Sequence, residues 1–260
     1  MRGLSRQRAA VALSALSIVA VLAIWWAIAA LGVVSPLFVP APSAVWQAFL
    51  NTTTQPYRGY TLPIQVGISL YRVTVAFVAA LIVGVPLGLL IGRYWWVDAL
   101  TQPLINFYRP LPPLAYYTLL VIWLGIGDAS KIALLFLAAI PALVINTAAG
   151  VQAVRREMTN AALSLGANDW QVFCHVVYPA TLPYIFTGMR IGLAFTYTTL
   201  VAAELVAATS GIGWMVLDAS RFLRSDIIFM GVIIMGVTGM ALDFIVVQLQ
   251  RRFVPWLGFA

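Results

Sequence analysis

The residues most able to act on a solute are three charged side chains inside otherwise apolar stretches: Arg109, Glu204 and Asp243. Counted from Leu100 at about 1.5 Å per residue, Arg109 lies roughly 13 Å into its stretch. A charge at that depth of an apolar helix is costly unless it faces a cavity or a counter-ion. Arg109 is therefore either a cavity charge that attracts an anion or half of a structural ion pair with Glu204 or Asp243. Both interpretations stay open.

The two carboxylates have other candidate partners. We expect Glu204 to bond to the backbone or to Arg72, and Asp243 to pair with Arg190 or Arg251. A structural role is favoured for both, because a buried charge needs a counter-charge or hydrogen bonds. Both also stay candidates for lining a solute path.

Catalytic patterns are missing from the sequence. There is no G-x-x-x-x-G-K-[ST] phosphate loop, so the chain is not expected to bind ATP, and there is no HExxH metal motif. With one histidine, His175, and one cysteine, Cys174, we expect neither a metal centre nor an internal disulfide. The chain is expected to be non-catalytic and to hold no cofactor.

The composition excludes a soluble protein. Of the 260 residues, 62% are hydrophobic and only 9% are charged, whereas soluble domains carry about 25% charged residues. This excludes a soluble enzyme, a disordered chain and a nucleic-acid module. The net charge of +7 comes from scattered basic residues, and a nucleic-acid binder would cluster them on one face.

Six stretches are long and apolar enough to cross a bilayer as helices, because about 20 residues span its core and lipid forces the backbone to bond within each segment. We expect an all-α membrane protein with one domain, residues 1–260. Prolines directly after Arg109 break the third stretch. The first stretch is expected to be a retained anchor, since it is longer than the core of a cleaved signal. The approximate spans are 10–34, 66–92, 100–125, 131–152, 180–208 and 227–250.

Basic residues set the expected orientation, since arginine and lysine are enriched on the cytoplasmic side. With the N-terminus inside, more of them fall near the inner ends of the spans than in the outer segments. Both termini and the loop 155–179 are therefore expected in the cytoplasm. The inner basic residues are Arg2, Arg6, Arg8, Arg93, Arg155, Arg156, Arg251 and Arg252.

The loop 155–179 predicts two short helices with a sharp bend. Gly166 suits the left-handed position after the first helix, and Asn168 with Gln171 forms a capping box for the second. Pro179 is expected to end the second helix, since proline lacks the N–H that a helix needs. Apolar side chains such as Trp170 and Phe173 give this loop a surface for either a partner groove or the lipid surface.

Two further features bear on packing and gating. Gly84, Gly88 and Gly92 form a small-xxx-small face, which permits close packing either within one subunit or between two copies. The segment 214–226 has the pattern of an amphipathic outer helix that includes Met215. It is a gate element, a docking site or an interfacial helix without a partner.

The loop also carries a family resemblance. Asn160-Ala-Ala-Leu-Ser-Leu-Gly166, nine residues and Val176-Val-Tyr-Pro179 resemble the EAA loop of ABC importer permeases. The family pattern is Glu-Ala-Ala, three residues, Gly, nine residues, Ile, one residue and Leu-Pro. The chain departs from it at Asn160, Val176 and Tyr178. Further similar segments run from about Trp25 to Gly258 and point to the taurine, sulfonate and nitrate group, most of all to taurine permeases.

The resemblance implies a type I importer permease fold with six transmembrane helices in the bacterial inner membrane. It implies a homodimer that binds two ATP-binding subunits on the cytoplasmic side and receives its solute from a periplasmic binding protein. ATP and Mg would be bound by the ATPase subunit. The two loop helices would be the coupling helices, and their coupling residues would be Asn160, Ala161, Ala162, Leu165, Gly166, Trp170, Phe173 and Pro179.

Under the resemblance, Arg109 from both copies would form a positive ring that favours an anion such as a sulfonate. Taurine leads as the expected solute, with related sulfonates, nitrate, bicarbonate or another small solute as alternatives. A secondary transporter that works without ATP is a different class of explanation. Such proteins often show inverted repeats, and no internal repeat is visible in this sequence.

Overall fold

The computed structural model describes the backbone of residues 2–257 and the side chains of residues 12–206 and 208–256. The regular secondary structure of this described part is helical, apart from one isolated bridge between Tyr57 and Tyr60. A π-helical turn, Phe173–Val177, precedes α9, and a short 3-10 turn, Pro255–Leu257, follows the last helix. The helices are α1 (Arg2–Ala30), α2 (Pro42–Thr54), α3 (Leu62–Arg93), α4 (Trp95–Tyr108), α5 (Pro113–Leu124), α6 (Asp128–Gln152), α7 (Arg156–Ser164), α8 (Asp169–Val172), α9 (Tyr178–Ala207), α10 (Ile212–Arg221) and α11 (Ser225–Phe253).

Within the described residues, five helical segments are long and apolar enough to cross a membrane. The third stretch expected from the sequence is instead divided into two helices, α4 and α5. Arg109 and the prolines after it lie between them. Pro112 is extended and Pro113 begins α5, where a missing N–H costs nothing. That this pair crosses the membrane as a sixth element stays a prediction. The five long segments are Ala12–Ala30, Leu62–Arg93, Asp128–Gln152, Asp169–Val206 and Ser225–Phe253.

The chain divides into two compact units. One runs up to Gln65 and includes Met215–Ile234, and the other comprises Val66–Trp214 and continues from Met235. In the second unit the core is formed by α3, α6 and α9, with Val73, Leu135 and Leu193 among its buried side chains.

The glycine face of α3 packs against α6 within the same chain. A Cβ at Gly84 would lie 3.1 Å from Leu143 Cβ, and one at Gly88 would lie 2.6 Å from Thr147 Cβ. At Gly92 the distance to Val151 Cβ would be 2.5 Å. At Gly88 and Gly92 the approach requires the absence of a side chain, so the small-residue face serves packing inside the subunit.

Candidate functional site

The Glu204 carboxylate is fully buried near the end of α9 and is paired with Arg72 of α3. Arg72 Nη1 lies 2.7 Å from Glu204 Oε1, and Arg72 Nε donates to Asp128 Oδ1 at 2.8 Å. The guanidinium also donates to the backbone oxygen of Ser210 at 2.8 Å. The expected bond between Glu204 and Arg72 is thereby confirmed. It ties α3, the start of α6 and the end of α9 together.

The same carboxylate caps the first turn of α10. The Gly213 N–H donates to Glu204 Oε2 at 2.8 Å. Ser69 Oγ donates to Glu204 Oε1 at 2.8 Å and accepts from the Ile212 N–H at 3.0 Å. Gly211 has a φ of +113°, and a Cβ there would lie 2.2 Å from Glu204 Oε1. The turn between α9 and α10 is therefore built around one buried anion, which satisfies the free N–H groups of the helix start.

Asp243 on α11 is paired with Arg190 on α9. The Arg190 Nε–Asp243 Oδ1 distance is 2.8 Å and the Nη2–Oδ2 distance is 3.1 Å, which makes a two-bond pair. This confirms Arg190 as a partner of Asp243. The alternative in which Arg109 pairs with Glu204 or Asp243 is not found, because Arg72 and Arg190 pair with these carboxylates.

Arg109 has no carboxylate within ion-pair distance among residues whose side chains the structure describes. Its side chain is exposed in the single chain and lines two cavities. The larger cavity, of about 320 Å³, is lined by Tyr108, Tyr116, Asn146 and apolar residues of α6 and α9. The smaller, of about 200 Å³, lies between α4 and α6. Of the two interpretations of Arg109, the cavity charge fits this geometry.

The loop 155–179 forms the expected sharp bend. Gly166 has a φ of +87°, and the N–H of Ala167 donates to the Ala162 carbonyl at 3.1 Å, as in a Schellman motif. The Asn168 side chain accepts from the Gln171 N–H at 2.8 Å, and the Gln171 side chain accepts from the Asn168 N–H at 2.9 Å. The predicted capping box is confirmed, and it fixes the angle between α7 and α8.

Pro179 does not end the second loop helix as expected. The helix continues through the π-helical turn into α9, with the Tyr178 N–H donating to the Phe173 carbonyl. Pro179 is the second residue of α9 and follows directly after the π-helical turn, whose bonding pattern differs from that of an α-helix. One helical element therefore extends from Asp169 to Val206, so the loop is joined rigidly to a membrane-spanning segment.

The surface of this loop is apolar where a partner could bind. Leu165 is 89% exposed and Trp170 is 71% exposed, and the Trp170 ring stacks on Phe173 at 5.7 Å. Asn160 and Ala161 are also exposed on α7. These are coupling residues implied by the resemblance, and their role stays a prediction.

Met215 of α10 is fully buried, and a turn of the first unit contacts Asp218 of the same helix. The Tyr57 hydroxyl donates to Asp218 Oδ2 at 2.9 Å, and Arg58 Nε lies 3.2 Å from the same oxygen. Burial, followed by the hydrogen bond to Asp218, raises the pKa of Tyr57 to about 12. The Arg58 guanidinium also lies 4.7 Å above the Phe222 ring, so this turn is fastened to α10.

The structure draws attention to polar residues that the sequence analysis missed. Asp98, Gln102 and Asn106 follow one another at four-residue spacing on α4 and lie on one face of that helix. They share the smaller cavity with Arg109. Their spacing is visible in the sequence, but Gln102 and Asn106 fall within the predicted apolar span 100–125 and Asp98 lies just before it.

Comparisons with known proteins give the family. The family described as "Binding-protein-dependent transport system inner membrane component" matches residues 84–258. The taurine transport system permease protein TauC of Escherichia coli is 42% identical over 256 residues, which cover 98% of this chain and 92% of that protein. The nitrate import permease protein NrtB of a Synechocystis strain is 35% identical over 242 residues, 91% of this chain and 87% of that protein.

The fold also has a counterpart among solved structures. A chain of the MetNI methionine ABC transporter, solved in inward-facing conformations, superposes with a TM-score of 0.58 and 19% identity, covering 71% of this chain and 94% of that chain. At this identity the likeness supports the fold alone, which is the importer permease fold expected from the sequence. The chain belongs to the family of binding-protein-dependent transport system inner membrane components and is a membrane-spanning, non-catalytic permease subunit of an ABC importer.

Proposed function

We propose that the chain forms, as a homodimer, the translocation path for taurine or a related small sulfonate. The observation that carries this proposal is Arg109, a guanidinium without a carboxylate partner in the described part of the chain, which lines two cavities. Such a cation in a membrane-spanning region attracts an anion. The 42% identity to a taurine permease supports a sulfonate as that anion.

The proposed partners are a second copy of the chain, two ATP-binding subunits, a periplasmic binding protein and the surrounding lipid. The ATP-binding subunits would dock on α7 and α8, where Leu165 and Trp170 present large exposed apolar side chains. Such anchors favour a partner groove over solvent. ATP and Mg would be held by those subunits, and this chain would hold no cofactor. We also propose an inner-membrane location with both termini in the cytoplasm.

The proposed mechanism is alternating access. ATP would close the ATPase dimer and displace α8, and the continuous helix from Asp169 to Val206 would carry that displacement through the membrane. At the end of this helix, Glu204 caps α10 and binds Arg72. The end of α9, the first turn of α10 and the part of α3 around Arg72 would therefore move together and open the path outward. Hydrolysis would reset the path inward.

The coupling step is tested with a Gly166→Pro variant. Proline cannot adopt the φ of +87° found at Gly166, so the bend between α7 and α8 must change. We expect the variant to lose stimulation of the ATPase by the substrate-loaded binding protein. Gly67→Ala is the matched control, since a Cβ there meets no atom within 4 Å. If stimulation is equal in both variants, the loop does not couple the subunits.

Nitrate is the second candidate solute. It is favoured by the 35% identity to a nitrate import permease, and a guanidinium such as that of Arg109 would attract nitrate as well as a sulfonate. Bicarbonate or another small solute would use the same architecture. Direct binding of taurine, nitrate and bicarbonate to the partner binding protein separates these candidates.

A further inference from the structure

An apolar groove of about 490 Å³, which we call the α3 groove, lies beside the end of α3. Pro86, Leu89 and Leu90 of α3 line it, together with Trp170 of α8 and Phe173. All of these residues belong to the second unit. The three α3 residues share one helix face, which at about 100° per residue is largely opposite the glycine face that packs on α6. The groove therefore lies on the side of α3 that is turned away from α6.

A second cavity, of about 240 Å³, shares three lining residues with the α3 groove; we call it the basic cavity. The shared residues are Arg93, Asp169 and Phe173, and α7 adds Arg156 and Thr159 to the basic cavity. Its charged lining residues are thus two arginines and one aspartate, which leaves one net positive charge. An amphiphile with its apolar part in the α3 groove can therefore reach a residue, Arg93, that also lines the basic cavity.

The two guanidiniums of the basic cavity are only weakly neutralised. Arg93 Nη2 lies 3.8 Å from Asp169 Oδ1, beyond hydrogen-bond distance. The Asp169 side chain is 85% exposed, and an ion pair of this kind contributes little. Arg156 has no carboxylate within ion-pair distance among the side chains that the structure describes. Both arginines are therefore available to an anion.

Aromatic residues indicate that this end of α3 lies at the membrane surface. Tyr94, Trp95 and Trp96 follow Arg93 directly, and all three side chains are exposed. Tyrosine and tryptophan are enriched where the hydrocarbon core meets the headgroups. Arg93 would therefore lie at headgroup depth. Pro86 is seven residues earlier on the same helix face, about 10 Å deeper, which places the α3 groove at the depth of acyl chains.

We propose that the α3 groove and the basic cavity together bind one anionic phospholipid of the phosphatidylglycerol type. An acyl chain would lie along Pro86, Leu89 and Leu90, which removes apolar surface from water. The phosphate would accept charge-assisted hydrogen bonds from Arg93 and Arg156. Basic pockets between transmembrane helices on the cytoplasmic side suit such headgroups, and the single negative charge of the lipid matches the net charge of the cavity.

The bound lipid would fasten the loop 155–179 to the end of α3, since the α3 groove has one wall on α3 and the other on Trp170 and Phe173. The inference goes beyond the proposed function, which does not depend on it. Trp170 also belongs to the surface proposed for the ATP-binding subunits. The lipid site must therefore be tested on the assembled complex as well as on the permease alone.

The test measures lipid binding by native mass spectrometry. The delipidated complex of the permease with its ATPase subunits is titrated with phosphatidylglycerol or with phosphatidylethanolamine of the same acyl chains. We expect tighter binding of phosphatidylglycerol. Arg93→Gln should weaken it about fivefold, the effect of one basic residue near an anionic headgroup, and Arg93→Gln with Arg156→Gln should reduce it to the level of phosphatidylethanolamine. Arg252→Gln is the matched control, because this exposed arginine of α11 lines neither space.

Two further variants separate a lipid site from a merely structural role of these residues. Asp169→Asn should strengthen phosphatidylglycerol binding, because it removes the negative charge that competes with the phosphate for Arg93. A structural Arg93–Asp169 pair would give no such gain. Leu90→Asn should weaken phosphatidylglycerol and phosphatidylethanolamine alike, since Leu90 lines only the apolar part of the site.

The inference is overturned if the double arginine variant binds phosphatidylglycerol as tightly as Arg252→Gln does, or if phosphatidylethanolamine binds the wild type equally well. Glycerophosphoglycerol carries the same headgroup without acyl chains. Its displacement of the lipid at equal concentration would show a site for free phosphate esters instead. Binding of phosphatidylglycerol to the permease alone but not to the complex would assign the α3 groove to the ATPase subunits and also refute the lipid site.

Discussion

Replacing Arg72 by glutamine should be among the most destabilising single changes in the second unit. It removes the cation that neutralises the fully buried Glu204. Breaking a buried ion pair on one side costs about 3–5 kcal/mol. At about 2–4 °C per kcal/mol for a chain of this size, the apparent melting temperature should fall by about 6–20 °C.

Two further variants separate this effect from other causes. The Asp128 side chain is 50% exposed, so Asp128→Asn should cost no more than about 1 kcal/mol. The double variant Arg72→Gln with Glu204→Gln removes both charges of this buried ion pair. It should therefore recover part of the stability that Arg72→Gln alone loses.

The assay is size-exclusion chromatography of detergent-solubilised permease after heating at a series of temperatures. Unfolding of membrane proteins is commonly irreversible, so all variants need identical heating times. The reasoning is refuted if Arg72→Gln melts within about 2 °C of Asp128→Asn, a difference worth less than about 1 kcal/mol. It is also refuted if the double variant is no more stable than Arg72→Gln.

Two smaller predictions concern the ends of α10. Gly211→Ala should lower the melting temperature strongly, because its Cβ would lie 2.2 Å from Glu204 Oε1 at a φ of +113°, whereas Gly236→Ala, with nothing within 4 Å, should not. Both are compared by the same heating assay. The hydrogen bond of Tyr57 to Asp218 should stabilise fully below pH 10, the ordinary pKa, and lose its effect as pH rises through about 12. Heating at a series of pH values in this range should show that the melting temperature of the wild type falls at high pH, whereas that of Tyr57→Phe does not. Equal pH dependence of the two melting temperatures would contradict a stabilising Tyr57–Asp218 hydrogen bond.

Local patterns in the sequence predicted local structure well. Gly166 and the Asn168–Gln171 capping box depend on backbone geometry within a few residues, so spacing alone specified them. The close packing of Gly88 could likewise be predicted, because a small-residue face has few uses in a membrane helix.

Features that depend on residues far apart in the sequence could not be predicted from the sequence alone. Arg109 had two plausible carboxylate partners until the structure placed Arg72 and Arg190 against them. The continuation past Pro179 required a π-helical turn, whose widened bonding pattern has no simple sequence signal.

We expect this chain to move its solute only as part of an ATP-driven importer. The most direct test is taurine uptake into liposomes that contain the permease with its ATPase subunits, with loaded binding protein outside and ATP inside. We predict uptake that requires both ATP and the binding protein. We also predict that Arg109→Gln raises the taurine concentration for half-maximal uptake without preventing assembly. Taurine uptake by the permease alone, without ATP, would contradict the account.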